Sequence, residues 1–243
     1  MADQQADTDT TEERPQGSLL RALVDVRDRQ VQKTRIGFNN RLAAIDGGAD
    51  ETATSDQRPI VERWLGRFTE LEKELDKDIT KAVKGHVLFD VSKSVKGLGP
   101  MLLAKLVAMI DIERAATVSA LWRYAGYGVV NGEREKLVKG EKSHYNKRLK
   151  TTLYLVAGSF LRSNSPYRQV YDSSRAYYEA NRPEWTKNHR HLASLRRMVK
   201  HFLCHLWMVW REIEGLPVRE PYAQGKLDHG PVSDPADYGW KVE

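Results

Sequence analysis

Two stretches of this chain repeat apolar side chains at close to the α-helical period for about six turns or more, which leaves little room for any other backbone. From 188 to 214 the repeat is Leu192, Leu195, Val199, Phe202, Leu206, Val209 and Ile213. From 59 to 84 it is Ile60, Trp64, Phe68, Leu71, Leu75, Ile79 and Ala82, spaced 4-4-3-4-4-3 with Glu and Lys between. That spacing is close to an eleven-residue repeat, the signature of a helix paired along its length. Shorter runs share the period. Leu20, Leu23, Val31, Phe38, Leu42 and Ile45 recur from an N-cap at Ser18 to the stop at Gly47-Gly48. Leu149, Leu153, Val156 and Phe160 mark 146–162, and a tyrosine-rich run over 167–181 ends at Arg182-Pro183. Residues 127–145 break the pattern; their glycines and dense charge read as a loop or small β-ribbon. The expected fold class is all-α: a long antiparallel helical hairpin (coiled coil), then a helix-hairpin-helix helical domain. The stripe over 59–84 is equally suited to the first helix folding back and to a second subunit.

The expected organisation is a disordered acidic tail over 1–17, the helical hairpin over 18–85, the helix-hairpin-helix domain over 86–214 and an irregular tail over 215–243. The first tail carries Asp3, Asp7, Asp9, Glu12 and Glu13 against Arg14 alone. Cys204 is the single cysteine, so no intrachain disulfide can form, and a reducing, cytoplasmic setting is expected. There is no apolar run of membrane-spanning length and no secretory leader pattern.

Between 86 and 111 lies the segment with the sharpest chemical implication, Val95-Lys96-Gly97-Leu98-Gly99-Pro100 followed by Met101 to Leu106. It reads as two short helices joined by a Gly-hydrophobic-Gly turn. Gly97 and Gly99 can take positive φ, Leu98 can plug the apolar seam, and Pro100 suits the first turn of the second helix. The N–H groups of that turn can hold a phosphate, with Lys93, Lys96 and Lys105 around it. The alternative is a Gly-containing turn between two core helices. Charge supports a polyanionic partner. From His144 to Arg211 there are thirteen Lys or Arg against Asp172, Glu179 and Glu184. Candidate backbone contacts are Lys93, Lys96, Lys105, Arg134, Lys136, Lys139, Lys142, Lys147, Arg148, Lys150, Arg196, Arg197 and Lys200, with Gly97 and Gly99 shaping the turn.

Taken in order, these pieces resemble the C-terminal two-thirds of the Piv/MooV-type insertion-sequence transposases, the bridge-RNA-guided recombinases. The similarity runs over about residues 20–214. It is carried by Ala22-Leu23-Val24, Arg27 to Arg41 with Asn40-Arg41, Leu71 to Ile79 and Gly97-Leu98-Gly99-Pro100. It continues in Ile110-Asp111-Ile112, Leu121, Tyr124-Ala125-Gly126, Asn146-Lys147-Arg148-Leu149-Lys150, and Lys200-His201 through Trp207. The resemblance implies DNA transposition or recombination, binding to DNA or structured RNA, and a homodimer formed through the 18–85 hairpin. Such enzymes also carry a RuvC-like domain with an Asp-Glu-Asp-Asp metal site. Residues 1–17 cannot supply it, so a RuvC-like catalytic subunit acting in trans is expected. The family's nucleophilic serine follows the Tyr-Ala-Gly; the matching Val130-Asn131-Gly132-Glu133-Arg134 has none. Ser143, one residue out of register with a second family serine, is a weak catalytic candidate, because no activating base accompanies it.

No cofactor motif is present: no Walker loop, dinucleotide-binding glycine pattern or Ser-His-Asp spacing. His201, Cys204 and His205 share a helix face at i, i+3, i+4, with His189 or His191 as the only nearby further zinc ligands; a basic helix face accounts for them, and no metal site is expected. Tyr167, Tyr171, Tyr177 and Trp185, interleaved with arginines, are candidates for base stacking or for the core. The expectation is a transposase-related DNA-binding protein, not catalytic alone. The alternatives are an orphaned nucleic-acid-binding regulator and a helical interaction scaffold without catalysis.

Overall fold

A computed structural model describes residues 15–48, 55–130, 133–134, 140, 142–219 and 233–241. The chain is all-α. Its one extended feature among the described residues is a minimal ribbon, β1 (Val129–Val130) paired antiparallel with β2 (Glu133–Arg134). It divides into two compact units, 1–82 and 83–243.

In the first unit, α1 (Pro15–Asp25) continues through a π-helical stretch (Val26–Val31) into α2 (Gln32–Gly47), which stops at Gly48 in the left-handed conformation, φ +60°. The helix starts about one turn before Ser18, and the π stretch has no signature in the apolar spacing. α3 (Arg58–Val83) runs back antiparallel, because the contacts pair residues early in one helix with residues late in the other. Arg27 bonds Asp76 at 2.8 Å, Gln32 bonds Glu72 at 3.0 Å, and Phe38 stacks on Phe68 with centroids 5.7 Å apart. Arg58, at the start of α3, pairs with Asp46, near the end of α2.

The buried face of α3 coincides only in part with the one its apolar residues trace. Val61, Glu72 and Ile79 are buried, whereas Ile60, Trp64 and Leu71 stay exposed. At 100° per residue the exposed trio lies about 90° around the helix from the buried line. Glu72 occupies the seam and is met there by Arg27, Gln32 and Arg35. A buried carboxylate of this kind persists only because it is paired.

The second unit holds α4 (Leu88–Ser92), α5 (Pro100–Met109), α6 (Val118–Tyr124), α7 (Lys147–Ser163), α8 (Tyr167–Asn181) and α9 (Lys187–Ile213). α9 packs against α6, α7 and α8, and α5 packs against α7. Leu195, Val199, Phe202, Leu206 and Val209 are buried as the seam requires, but from 202 to 207 every residue is buried, so α9 is enclosed on all sides there. Nearer its start, Leu192 of the same seam is exposed.

Residues 233–241 belong to this packing. A 3-10 turn (Pro235–Tyr238), capped by Asp234, leads into Trp240, which is 1% exposed. The Trp240 indole N–H donates to the Tyr167 hydroxyl at 2.8 Å, and the Lys241 N–H donates to the Val91 carbonyl at 3.0 Å. No helix among the described residues is long and apolar enough to cross a membrane.

Candidate nucleic-acid interface

The two glycines of the α4–α5 turn do different work. Gly97 has φ +94° and is packed so closely that a Cβ there would stand 2.5 Å from Ser163 Oγ and 3.0 Å from Phe160 Cδ1. Its carbonyl accepts a 2.7 Å bond from Ser159 Oγ, which fastens the turn to α7. Gly99 does not take positive φ. It is the extended N-cap of α5 (φ −76°, ψ 165°), with open space where a Cβ would be. Leu98 is buried between them, and Pro100 takes the first position of α5. The N–H groups of Met101 and Leu102 have no acceptor within their own helix, as for any helix start.

The Tyr124-Ala125-Gly126 sequence forms a second joint. The Tyr124 hydroxyl donates to the Met109 carbonyl (3.1 Å) and accepts from the Asn146 side-chain amide (2.9 Å). Asn146 also caps α7 by accepting from the Leu149 N–H. Gly126, at φ +80°, leaves room for the Tyr145 ring, 2.8 Å from where its Cβ would lie. Thus the ends of α5 and α6 and the start of α7 are tied at one place.

The candidate cations fall into distinct groups. Lys96, Lys142, Lys147 and Arg197 are exposed. Lys93 is exposed but pairs with Asp90 at 2.5 Å and lies over the Phe89 ring. Arg148 and Lys150 are half-buried, Lys150 with its ammonium 4.5 Å from the Tyr145 ring centre. Lys105 is buried, 8% exposed, and so is not placed to meet a phosphate. Arg196 donates from one nitrogen to the Tyr127 and Gly128 carbonyls at 2.6 and 2.7 Å, stapling the segment after α6 to α9. Lys200 sits 3.9 Å over the Trp122 ring while its carbonyl accepts the Trp122 indole N–H. Burial, then the neighbouring Arg196, lower its pKa to about 8. Arg196 and Lys200 are therefore cross-links within the fold. Lys136 and Lys139 lie outside the described residues, as does the side chain of Arg134.

Ser143 is held in a turn, its hydroxyl donating to the Tyr145 carbonyl at 2.9 Å. His201, Cys204 and His205 face inward to the second unit's core. Tyr167 bonds His205 Nδ1 at 2.8 Å, and Ser233 bonds His201 Nε2 at 2.7 Å. Burial pushes the Cys204 thiol up to about 12, His201 down to about 4 and His205 down to about 3. Among the described residues no group of three or more His, Cys, Asp or Glu is placed to hold a metal ion.

Periodicity gave no hint of two of the strongest links. Arg211, which reads as a surface cation, is buried and donates to the carbonyls of Ile112, Ala115 and Pro217. Trp240 lies in what reads as tail. Arg211 shows only as one more cation on a basic helix, and Trp240 as a single large side chain after a glycine, which any loop can show.

The helical segment that carries the turn, the Tyr-Ala-Gly joint and α7 is the part of the chain that is similar to a known family. Residues 90–172, which hold all three, match the family model described as Transposase IS116/IS110/IS902 family. No curated protein and no solved structure matches the chain.

Proposed function

We propose that the chain is a DNA-binding, transposase-related protein whose 83–243 unit grips DNA backbone. The family match over 90–172 carries this reading. The exposed cations Lys96, Lys142 and Lys147 support it: they flank the two joints that the matched segment builds. Contact would come from those side chains and from the α5 helix start, whose N–H groups would receive a phosphate. DNA cleavage and joining would come from a RuvC-like, metal-bearing domain in trans, since two-metal phosphoryl transfer needs carboxylates that hold the cations a few ångströms apart. The 1–82 unit would dimerise through the face bearing Ile60, Trp64 and Leu71, whose exposure leaves an apolar stripe to cover.

The test is an electrophoretic shift on duplex DNA, branched DNA and structured RNA with a salt series. Binding to duplex should fall with log K dropping by about 0.9 per phosphate neutralised for each decade of salt. Binding that ignores salt, or none at low salt, would sink the proposal. Light scattering addresses the dimer: a monomer mass that Leu71→Glu leaves unchanged argues against it.

A further inference from the structure

We infer that the tip of the α8–α9 hairpin is a stacking platform for unpaired DNA bases, a site separate from the α5 helix start. The inference rests on the DNA-binding reading only for its choice of DNA over RNA. The turn between the helices is cross-bonded. The Arg182 N–H bonds the Tyr178 carbonyl, the Trp185 N–H bonds the Arg182 carbonyl, and Thr186 caps α9 through the His189 N–H. On this turn stands a row of rings. Trp185 and His189 are stacked with centroids 4.0 Å apart and planes 9° from parallel. Tyr178 lies 5.2 Å from Trp185, and Tyr177 lies 5.5 Å from Tyr178. The row ends on exposed rings, His189 at one end and Tyr177, 53% exposed, at the other.

The polar edges separate this row from core aromatics. In the second unit, Trp122, Trp207, Trp210 and Trp240 each donate the indole N–H to an acceptor within the fold. Buried or half-buried tryptophans normally do so. Trp185 is half-buried, yet its indole N–H, like the hydroxyls of Tyr177 and Tyr178, meets no acceptor among the described residues. Tyr171, nearly two helical turns back along α8, is by contrast bonded to His191 at 2.7 Å. Rings whose edges and outermost faces stay open suit a ligand that is itself flat, aromatic and edged with donors and acceptors. Bases in single strands are such a ligand, and every base offers a face to stack.

The charge around the row fits the phosphates that accompany bases. The Arg182 guanidinium lies 5.9 Å from the Trp185 ring centre, and Arg182 and Lys187 are exposed. Of the nearby acids, Glu179 is already paired with Arg175, which leaves Glu184 as the opposing charge in the turn itself. Transposition exposes unpaired DNA whenever strands part, so a single-strand platform in a protein that also grips duplex has a substrate at hand.

The experiment is fluorescence anisotropy with the full chain on labelled oligo-dT, oligo-U and a blunt duplex of equal length. Tyr177→Ala and His189→Ala remove exposed rings that the fold does not need. Each should weaken oligo-dT binding about five-fold or more, the loss of one stacked base, while duplex binding stays within about two-fold. Trp185→Phe should retain binding that Trp185→Ala loses, with circular dichroism reporting whether the turn survives. Oligo-dT affinity unchanged in both Tyr177→Ala and His189→Ala overturns the inference, as does an equal loss on duplex, or tighter binding of oligo-U than of oligo-dT. Wild-type protein that binds oligo-dT but not duplex would refute the backbone grip and leave the platform standing.

Discussion

The two glycines of the α4–α5 turn make a matched experiment. Gly97→Ser and Gly99→Ser introduce the same atoms two residues apart. At Gly97 the new Cβ meets a backbone at φ +94°, which costs an L-residue about 1–2 kcal/mol. It also overlaps Ser163 Oγ at 2.5 Å and crowds Phe160, an overpacking that costs typically about 1–3 kcal/mol. The expected loss is about 2–5 kcal/mol. In a unit of about 160 residues each kcal/mol lowers Tm by about 2–4 °C, so Gly97→Ser should melt about 5–15 °C early. At Gly99 the backbone is extended, the space is open, and serine is a preferred N-cap, so Gly99→Ser should be neutral or stabilising by about a few tenths of a kcal/mol. Differential scanning calorimetry of the three proteins reads both effects. If the two variants melt together, or Gly99→Ser is the worse, the account of this turn is wrong.

Other outcomes follow from the same contacts. Trp240→Ala should cost about 3–5 kcal/mol in urea unfolding of the second unit, since it empties a buried ring site and removes the bond to Tyr167; a loss below about 1 kcal/mol would mean that 233–241 is not part of that core. His201 and His205 are held neutral, at about 4 and 3, against about 6.5 in the unfolded chain. Their contribution is therefore complete above pH 6.5 and drains as pH falls towards 4, so Tm should drop between pH 7 and pH 5; a flat profile refutes it. Glu72→Ala should destabilise the first unit by about 2–4 kcal/mol by stranding Arg27 and Arg35, although Asp76 and Asp28 still offset part of the Arg27 charge; an unchanged urea midpoint would count against the pairing. Lys147→Ala should shallow the salt dependence of duplex binding by about one phosphate with no change in Tm, while Arg196→Ala should lower Tm by freeing two carbonyls.

Helix positions were legible because period is a property of consecutive residues: α7, α8 and α9 start and stop within a residue or two of where Asn146, Arg182-Pro183 and Gly215 place them. Which face a helix buries was less so. On α3 a charged residue lies in the seam, and apolarity alone cannot find a seam centred on Glu72. Among the candidate site residues, type identified the cations but not their surroundings. Lys147 and Arg196 look alike in sequence, yet one is exposed and the other is folded against two carbonyls sixty-eight and sixty-nine positions away. Contacts at such separation, like Trp240 on Tyr167, leave no periodic trace.

Gly239 sets a limit on how this sequence can drift. A Cβ at that position would stand 2.4 Å from the Ser94 carbonyl oxygen and 2.8 Å from its carbon, with φ at +93°. The obstruction at Gly97 is led by a serine hydroxyl, which a second substitution at 163 could trim away. At Gly239 the obstruction is main chain, common to all twenty residues, so no side-chain change at 94 could make room. Relatives that keep this contact must keep the glycine, and a lineage that loses it loses the docking of the neighbouring tryptophan with it, in one step and without a partial remedy.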